Sequence, residues 1–261
     1  MKINPRKCAF GVTAGKFLGF IVSQKGIEVN PDKIQAIMEM PPPRNMKEVQ
    51  SLNGKVAALN RFISRATNKC LPFFYTLKKH FEWMAKCQQA FEDLKTYLSS
   101  PSLLSPSKPG EELFLYLVVS PAAVSLTLVR AEDRVQKPIY YTSQVLRGAE
   151  ERYPSMEKLP FALVTATHKL KPYFQAHTVV VLTNKPLRRV ISNPKATRQM
   201  ALWTIELNEF DIQYRLHIAI KGQVVTDLKS SPIWKARGQK NTLSEASTRM
   251  GHLIDKLARS M

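Results

Sequence analysis

Leu113-Phe114-Leu115-Tyr116-Leu117-Val118-Val119-Ser120-Pro121 is the run on which the fold reading turns. An apolar, β-forming stretch that ends at a serine and a proline reads as a strand stopped by a turn. Two further strand-like runs follow at residues 123–130 and 137–142, with hairpin turns expected near Pro121 and at Glu132-Asp133. Helical periodicity then appears at residues 150–170, a fourth strand at 177–183, a helix at 195–207 and a fifth strand at 211–216. Three antiparallel strands followed by helix, strand, helix and strand predict an α/β (α+β) layer, a mixed five-stranded sheet covered by helices.

Upstream the pattern differs. Residues 7–10, 16–22 and 27–29 are strand-like and Ser23-Gln24-Lys25-Gly26 is a turn signal, which predicts a small β-hairpin unit. Asn30-Pro31-Asp32 supplies a cap, a proline at the first helical position and an acid in the first turn, opening a helix through Ile34, Ile37 and Met38 that Pro41-Pro42-Pro43 ends. Asn45 with Glu48 resembles a capping box, and Val49, Leu52, Val56, Leu59 and Ile63 fall on one stripe behind it. Phe91, Leu94 and Leu98 mark a further helix at residues 88–98. The expected division is therefore 1–32 (β unit), 33–105 (helical module), 106–228 (α/β layer) and 229–261 (a tail, either a frayed helix around 253–257 or disorder). The Ser/Pro-rich residues 101–110 read as the linker.

The chain has 261 residues, 44% of them hydrophobic, and a formal charge of +19. The excess is +9 in residues 1–105, +5 in 106–228 and +5 in the last 33, so no single tail carries it. A duplex presents about one negative charge per ~1.7 Å of axis, which makes nucleic acid the partner best matched to this surface. A solubilising surface of scattered lysines is the plainer alternative. No apolar run approaches the ~18 residues of a spanning helix, and the start lacks the apolar stretch of a signal peptide, so an intracellular protein without membrane attachment is expected. Cys8, Cys70 and Cys87 lie far apart with no histidine at ligand spacing and read as reduced thiols; His80, His168, His177, His217 and His252 form no ligand pair.

Lys7-Cys8-Ala9-Phe10, the run Lys16-Phe17-Leu18-Gly19-Phe20-Ile21-Val22-Ser23, Asn30-Pro31-Asp32-Lys33, Pro42-Pro43-Arg44-Asn45, Lys47-Glu48-Val49-Gln50, Asn60-Arg61-Phe62-Ile63 and Gln89-Ala90-Phe91 form an ordered series. Together they resemble the thumb region of gypsy-type long-terminal-repeat retrotransposon polymerases. Lys137-Pro138-Ile139-Tyr140-Tyr141, the segment from Tyr153 to Glu157-Lys158, and Asp211-Ile212-Gln213-Tyr214 resemble the RNase H-like domain that follows it in the same Pol polyproteins. The strand Leu115-Tyr116-Leu117-Val118-Val119-Ser120 resembles the degenerate, plant-type copy of that domain. The resemblance covers about residues 1–228. It implies that 1–32 is the edge of a reverse transcriptase palm with its primer-grip hairpin, 33–105 the thumb and 106–228 an RNase H-like connection domain.

Polymerase chemistry needs adjacent aspartates to hold two Mg²⁺ ions, and the chain has no Asp-Asp pair. RNase H chemistry needs four carboxylates. The resemblance places these positions on Val118, Glu157, Asn184 and Asp227, so two acids survive and the one that bridges both metals is valine. Glu112 cannot substitute, since six strand residues span ~20 Å. Glu157 and Asp227 are then ordinary helix and loop acids, and no metal or other cofactor is expected. The resemblance also implies nucleic-acid-binding positions: Lys16, Phe17, Leu18 and Gly19 in the primer-grip hairpin, and Lys47, Gln50, Gly54, Ala58 and Arg61 on the capped helix. The latter five fall within about 80° of arc opposite the apolar stripe, at about 100° per residue. A row of Gln, Gly and a third residue at this spacing follows the minor groove in the family. A plain solvated face with a tolerated glycine is the alternative reading.

The expected function is a fragment of a reverse transcriptase/RNase H polyprotein that holds an RNA/DNA or DNA duplex without polymerising or cleaving it, with upstream palm and fingers as partners at full length. One alternative is a Mg²⁺-dependent RNase H-type endonuclease with a rebuilt site. Another is a retroelement relic without a role.

Overall fold

The computed structural model describes residues 11–17, 19–78, 81–133, 135–154, 156–183, 187–191 and 197–216. All of these belong to one compact unit. The expected strand at 7–10 and the tail at 229–261 lie outside the described residues.

A three-stranded antiparallel sheet comes first: β1 (Ala14–Phe17), β2 (Phe20–Ser23) and β3 (Gly26–Val29), in that order. The run at 16–22, expected as one strand, is two. Gly19 has φ +78°, a left-handed conformation that favours glycine, so the chain turns there. The expected linker is docked as well. Leu104 is fully buried and exchanges backbone hydrogen bonds with Ile27 at 2.8 and 3.1 Å, and the Ser105 amide donates to the Pro138 carbonyl at 2.7 Å. Sequence composition reads residues 101–110 as a tether, but burial of one leucine converts the segment into a strap.

Helices α1 (Pro31–Met38) and α2 (Met46–Ala58) start where their caps predict. The Asn30 side chain accepts from the Asp32 amide at 3.2 Å and that of Asn45 from the Glu48 amide at 3.0 Å, while the Glu48 carboxylate reaches back to the Arg44 amide at 2.7 Å. A single 3-10 turn (Asn60–Phe62) follows, then α3 (Ala66–Lys78) and α4 (Ala85–Leu98). Sequence periodicity had not marked α3. Pro72 sits inside it and removes one helical amide, and the Thr76 hydroxyl donates to the Pro72 carbonyl at 3.0 Å. Val49, Leu52, Val56, Phe62, Phe73, Phe91, Leu94 and Leu98 form the core of this module. Each such side chain contributes about 1.5–3 kcal/mol by leaving water.

The second sheet has the order β6-β5-β4-β7-β8, built from β4 (Leu113–Val119), β5 (Ala123–Glu132), β6 (Val135–Val145), β7 (Val179–Thr183) and β8 (Ile212–Leu216). The first three pair antiparallel; β7 runs parallel to both β4 and β8. The register slips between Leu128 and Val129, opposite Pro138, which has no amide to give the ladder. The helix expected across 150–170 is broken into α5 (Ala149–Arg152) and α6 (Lys158–Lys169), with Pro154 between them, and α7 (Lys171–Ala176) follows. A short α8 (Leu187–Ile191) was not anticipated, and α9 (Arg198–Leu207) begins at the Thr197 cap rather than at 195.

The two halves share a packed seam. Tyr141 of β6 is buried in the helical module's core, the Thr67 amide donates to the Ser143 hydroxyl at 2.9 Å, and that hydroxyl donates to the Asn60 side chain at 3.2 Å.

Gly26 has φ +142°, and a Cβ there would overlap the Leu104 carbonyl oxygen. Gly26→Ala is expected to cost about 1–3 kcal/mol and to release the strap, read as a lower thermal midpoint. A second expectation concerns acid. Glu132 is held by hydrogen bonds from Lys108 and Lys137 and by the charge of Arg130, and these bring its carboxyl down to about 2 from its usual 4.5. A depressed pKa stabilises above the unfolded value, so this contribution is lost as pH falls from 4.5 to about 2. The difference in thermal midpoint between the parent chain and Glu132→Gln should therefore shrink across that window.

Candidate nucleic-acid interface

The amphipathic design of α2 sets two faces. Val49, Leu52 and Val56 are buried, and Lys47, Gln50, Gly54 and Ala58 are exposed on the other side. No atom lies within 4 Å of a Cβ built at Gly54. Glycine inside a helix costs about 1 kcal/mol relative to alanine, and nothing among the described residues packs close enough to require it. Lys55 and Lys95 are committed to structure, donating to the Ala36 and Met40 carbonyls at 2.8 Å each. Lys47 makes no ion pair among the described residues.

Arg61 stands at the end of this row, on the 3-10 turn, and is half-buried. Its guanidinium lies 4.6 Å from the centroid of the Tyr140 ring and 3.4 Å from the Tyr173 hydroxyl. It therefore ties the helix face to the seam by a cation–π contact. In the β1–β2 hairpin, Lys16 forms an exposed ion pair with Asp32 at 3.2 Å, and its hydrogen bond holds the Asp32 carboxyl below its ordinary range. Phe17 pairs in register with Phe20, Gly19 makes the turn beneath Lys33, and Leu18 lies outside the described residues. The Lys33 ammonium in turn lies 5.1 Å from the Phe20 ring centroid.

Of the four positions at which the resemblance puts RNase H carboxylates, Val118 and Glu157 lie among the described residues. Val118 pairs with Ser125 near the end of β4. Alternation along the strand puts it on the face away from Leu113, Leu115, Leu117 and Val119, which pack against the helices of the second core. Glu157 directly precedes α6 and makes no capping bond. Asn184 and Asp227 lie outside the described residues. Glu112, at the far end of β4, forms a two-pronged pair with Arg215 at 2.8 and 3.1 Å. No group of three or more His, Cys, Asp or Glu among the described residues is placed to hold a metal ion.

Lys158 is the residue that sequence reasoning missed. It is buried, and its ammonium donates to the Pro121 carbonyl at 3.1 Å and the Glu151 carbonyl at 2.8 Å, pinning the start of α6 to the β4–β5 corner. A lysine among apolar neighbours at a helix start was the available signal. Cys70 and Cys87 are buried free thiols, and burial pushes the Cys70 thiol up to about 12, which removes it from thiolate chemistry at neutral pH. No helix among the described residues is long and apolar enough to cross a membrane.

Comparison with known proteins agrees with this architecture. Residues 83–181 match the family model of the RNase H-like domain found in reverse transcriptase; the match takes in α4 as well as β4 to β7. Over 245 residues, 88% of the chain, the sequence is 27% identical to the retrovirus-related Pol polyprotein from transposon opus of Drosophila melanogaster, covering 24% of that protein. It is 26% identical over 223 residues to the transposon Tf2-3 polyprotein of Schizosaccharomyces pombe, covering 82% of the chain and 17% of the relative. The chain thus spans about a quarter or less of the length of these relatives. Among solved structures, the foamy viral protease-reverse transcriptase in complex with RNA/DNA hybrid aligns with a TM-score of 0.68 at 21% identity, over 87% of this chain and 31% of that one. The same viral protein in complex with dsDNA aligns at 0.66 and 20% identity, over 80% and 46%. Fold, sequence and family match point the same way: the chain is similar to the Pol polyproteins of retrotransposons, and its residues 83–181 match the RNase H-like domain found in reverse transcriptase.

Proposed function

We propose that the chain grips a nucleic-acid duplex, an RNA/DNA hybrid or DNA, without reading its sequence and without polymerising or cutting it. The observation that carries this reading is the open backbone at Gly54, in the middle of an exposed row of Lys47, Gln50 and Ala58. A helix that forgoes a side chain there lets a groove wall approach the backbone closely, and Gln50 offers a donor and an acceptor to base and sugar edges. The foamy viral relative of the fold was solved with both dsDNA and RNA/DNA hybrid, which supports the choice of partner. Arg61, stacked on Tyr140, extends the grip toward the RNase H-like sheet. The β1–β2 hairpin with Lys16, Phe17, Leu18 and Gly19 would approach the strand end. In a longer polyprotein, palm and fingers would complete the cleft.

The silent chemistry follows from Val118. Two-metal hydrolysis needs a carboxylate that bridges both ions, and a valine side chain offers neither charge nor lone pair. Glu157 is left as a partly buried acid at a helix start, Asp227 lies outside the described residues, and Asn184 is a neutral amide. No metal is required for holding.

The two roles of Gly54 separate stability from binding. Gly54→Ala should raise stability by about 1 kcal/mol in a denaturant melt and weaken hybrid binding in a fluorescence anisotropy titration. Tighter or unchanged binding in the stabilised variant would sink the assignment of this face. Affinity should also fall by about 10³ or more between 50 and 200 mM salt if roughly six phosphates are neutralised. A flat salt response would remove the duplex reading altogether.

A further inference from the structure

A cavity of about 410 Å³ lies in the seam, bounded by α2, the start of α3, the end of β6 and Lys169 at the end of α6. It is separate from the exposed row on α2: Asn53 and Ala57 line it, each one position before Gly54 and Ala58. Phe74 gives it an aromatic wall, and Arg147 and Lys169 give it positive charge. Most of its other polar groups are already engaged. The Ser143 hydroxyl bonds to the Thr67 amide and to Asn60, and the Glu150 carboxylate accepts from the Arg147 amide at 3.0 Å.

Asn53 and Lys169 are among the groups left over. Both polar atoms of the Asn53 amide are buried and have no protein partner. Lys169 makes no ion pair among the described residues; the residue is exposed at the surface, and partial burial of its ammonium end lowers its pKa, a cost that a nearby anion would relieve. A volume of this size lies within the range of about 300–1,000 Å³ typical of small-ligand sites.

An adjacent donor and acceptor, an aromatic face and an unpaired ammonium are together the means of recognising a nucleotide. We propose that this cavity takes a single unpaired nucleotide, with its base against Phe74, its base edge on an Asn53 amide turned out of the wall, and its phosphate at Lys169. Every base carries an adjacent donor and acceptor on its pairing edge, so discrimination among the four bases is weak. The nucleotide is either free or the unpaired end of a strand held elsewhere on the protein; the recognition chemistry is the same. The site does not depend on the duplex reading, because its walls are not the exposed residues of α2.

The test uses the full chain and saturation-transfer NMR with the four deoxynucleoside 5′-monophosphates, and with ribose 5-phosphate as a control. Binding of the mononucleotides is expected, with base protons receiving the strongest transfer and at least tenfold weaker binding in both Asn53→Leu and Lys169→Ala. Asn53→Leu removes two unpartnered polar atoms and should keep the thermal midpoint of the parent chain; Lys169→Ala, at an exposed position, covers the case in which it does not. Absence of mononucleotide binding, equal binding of ribose 5-phosphate, or affinities unchanged in both variants overturns the proposal. A second arm compares a blunt duplex with one bearing a single-nucleotide overhang. A gain from the overhang that Asn53→Leu abolishes assigns the site to strand ends, and mononucleotide binding without such a gain assigns it to free nucleotide. Blunt-duplex binding that is lost in Gly54→Ala but intact in Asn53→Leu keeps the two sites distinct.

Discussion

Strand β6 is shared between two hydrophobic cores, and the arrangement of the described residues depends on that sharing. Ile139 faces the core of the mixed sheet, while Tyr141, two residues further on, is buried among the leucines and phenylalanines of the helical module. The bulge opposite Pro138 is what allows both. By turning the strand locally it directs nearby side chains into different cores, and the Pro138 carbonyl accepts the strap through Ser105. Removing any of these contacts loosens α2 relative to the sheet, because Thr67, Ser143 and Asn60 are linked in one chain of hydrogen bonds.

That seam gives the surface of α2 its setting. A helix held by an apolar stripe on one side can leave the other side bare, and here the bare side carries a glycine that nothing among the described residues requires. The same rigidity places Arg61 between helix and sheet, where stacking on Tyr140 fixes a guanidinium that would otherwise be free to move. On the proposed reading, the charge of +19 would supply long-range attraction and the shape of α2 would decide where a partner sits.

Much of this was legible in the sequence because it is local. The caps at Asn30 and Asn45, the stripe from Val49 to Ile63 and the strand–turn–strand order from Leu113 onward follow from neighbours a few residues apart, and the five-stranded mixed sheet and the similarity to transposon Pol polyproteins are both legible there. What was missed is non-local or masked by a local exception. Pro72 hid α3, Gly19 split a run that looks continuous, and Pro154 interrupted a long helical pattern. Leu104 made a strap of a segment whose composition reads as a tether, since composition does not record that one leucine finds a pocket. Lys158 was overlooked for the same reason: its two carbonyl partners are distant in sequence or set by the turn before α6. The open space at Gly54 and the exposure of Lys47, Gln50 and Ala58 could be inferred as a face from periodicity, but the seam engagement of Arg61 could not.

Holding without cutting is the central claim, and one gel measures both halves of it. An RNA/DNA hybrid labelled on its RNA strand is incubated with saturating chain and Mg²⁺, then divided between a native and a denaturing gel. The account predicts a complete shift on the native gel and a full-length RNA strand on the denaturing one. Shortened RNA from the shifted complex would show that an acidic site functions despite Val118, and an unshifted hybrid would show that the face of α2 is only a solvated surface.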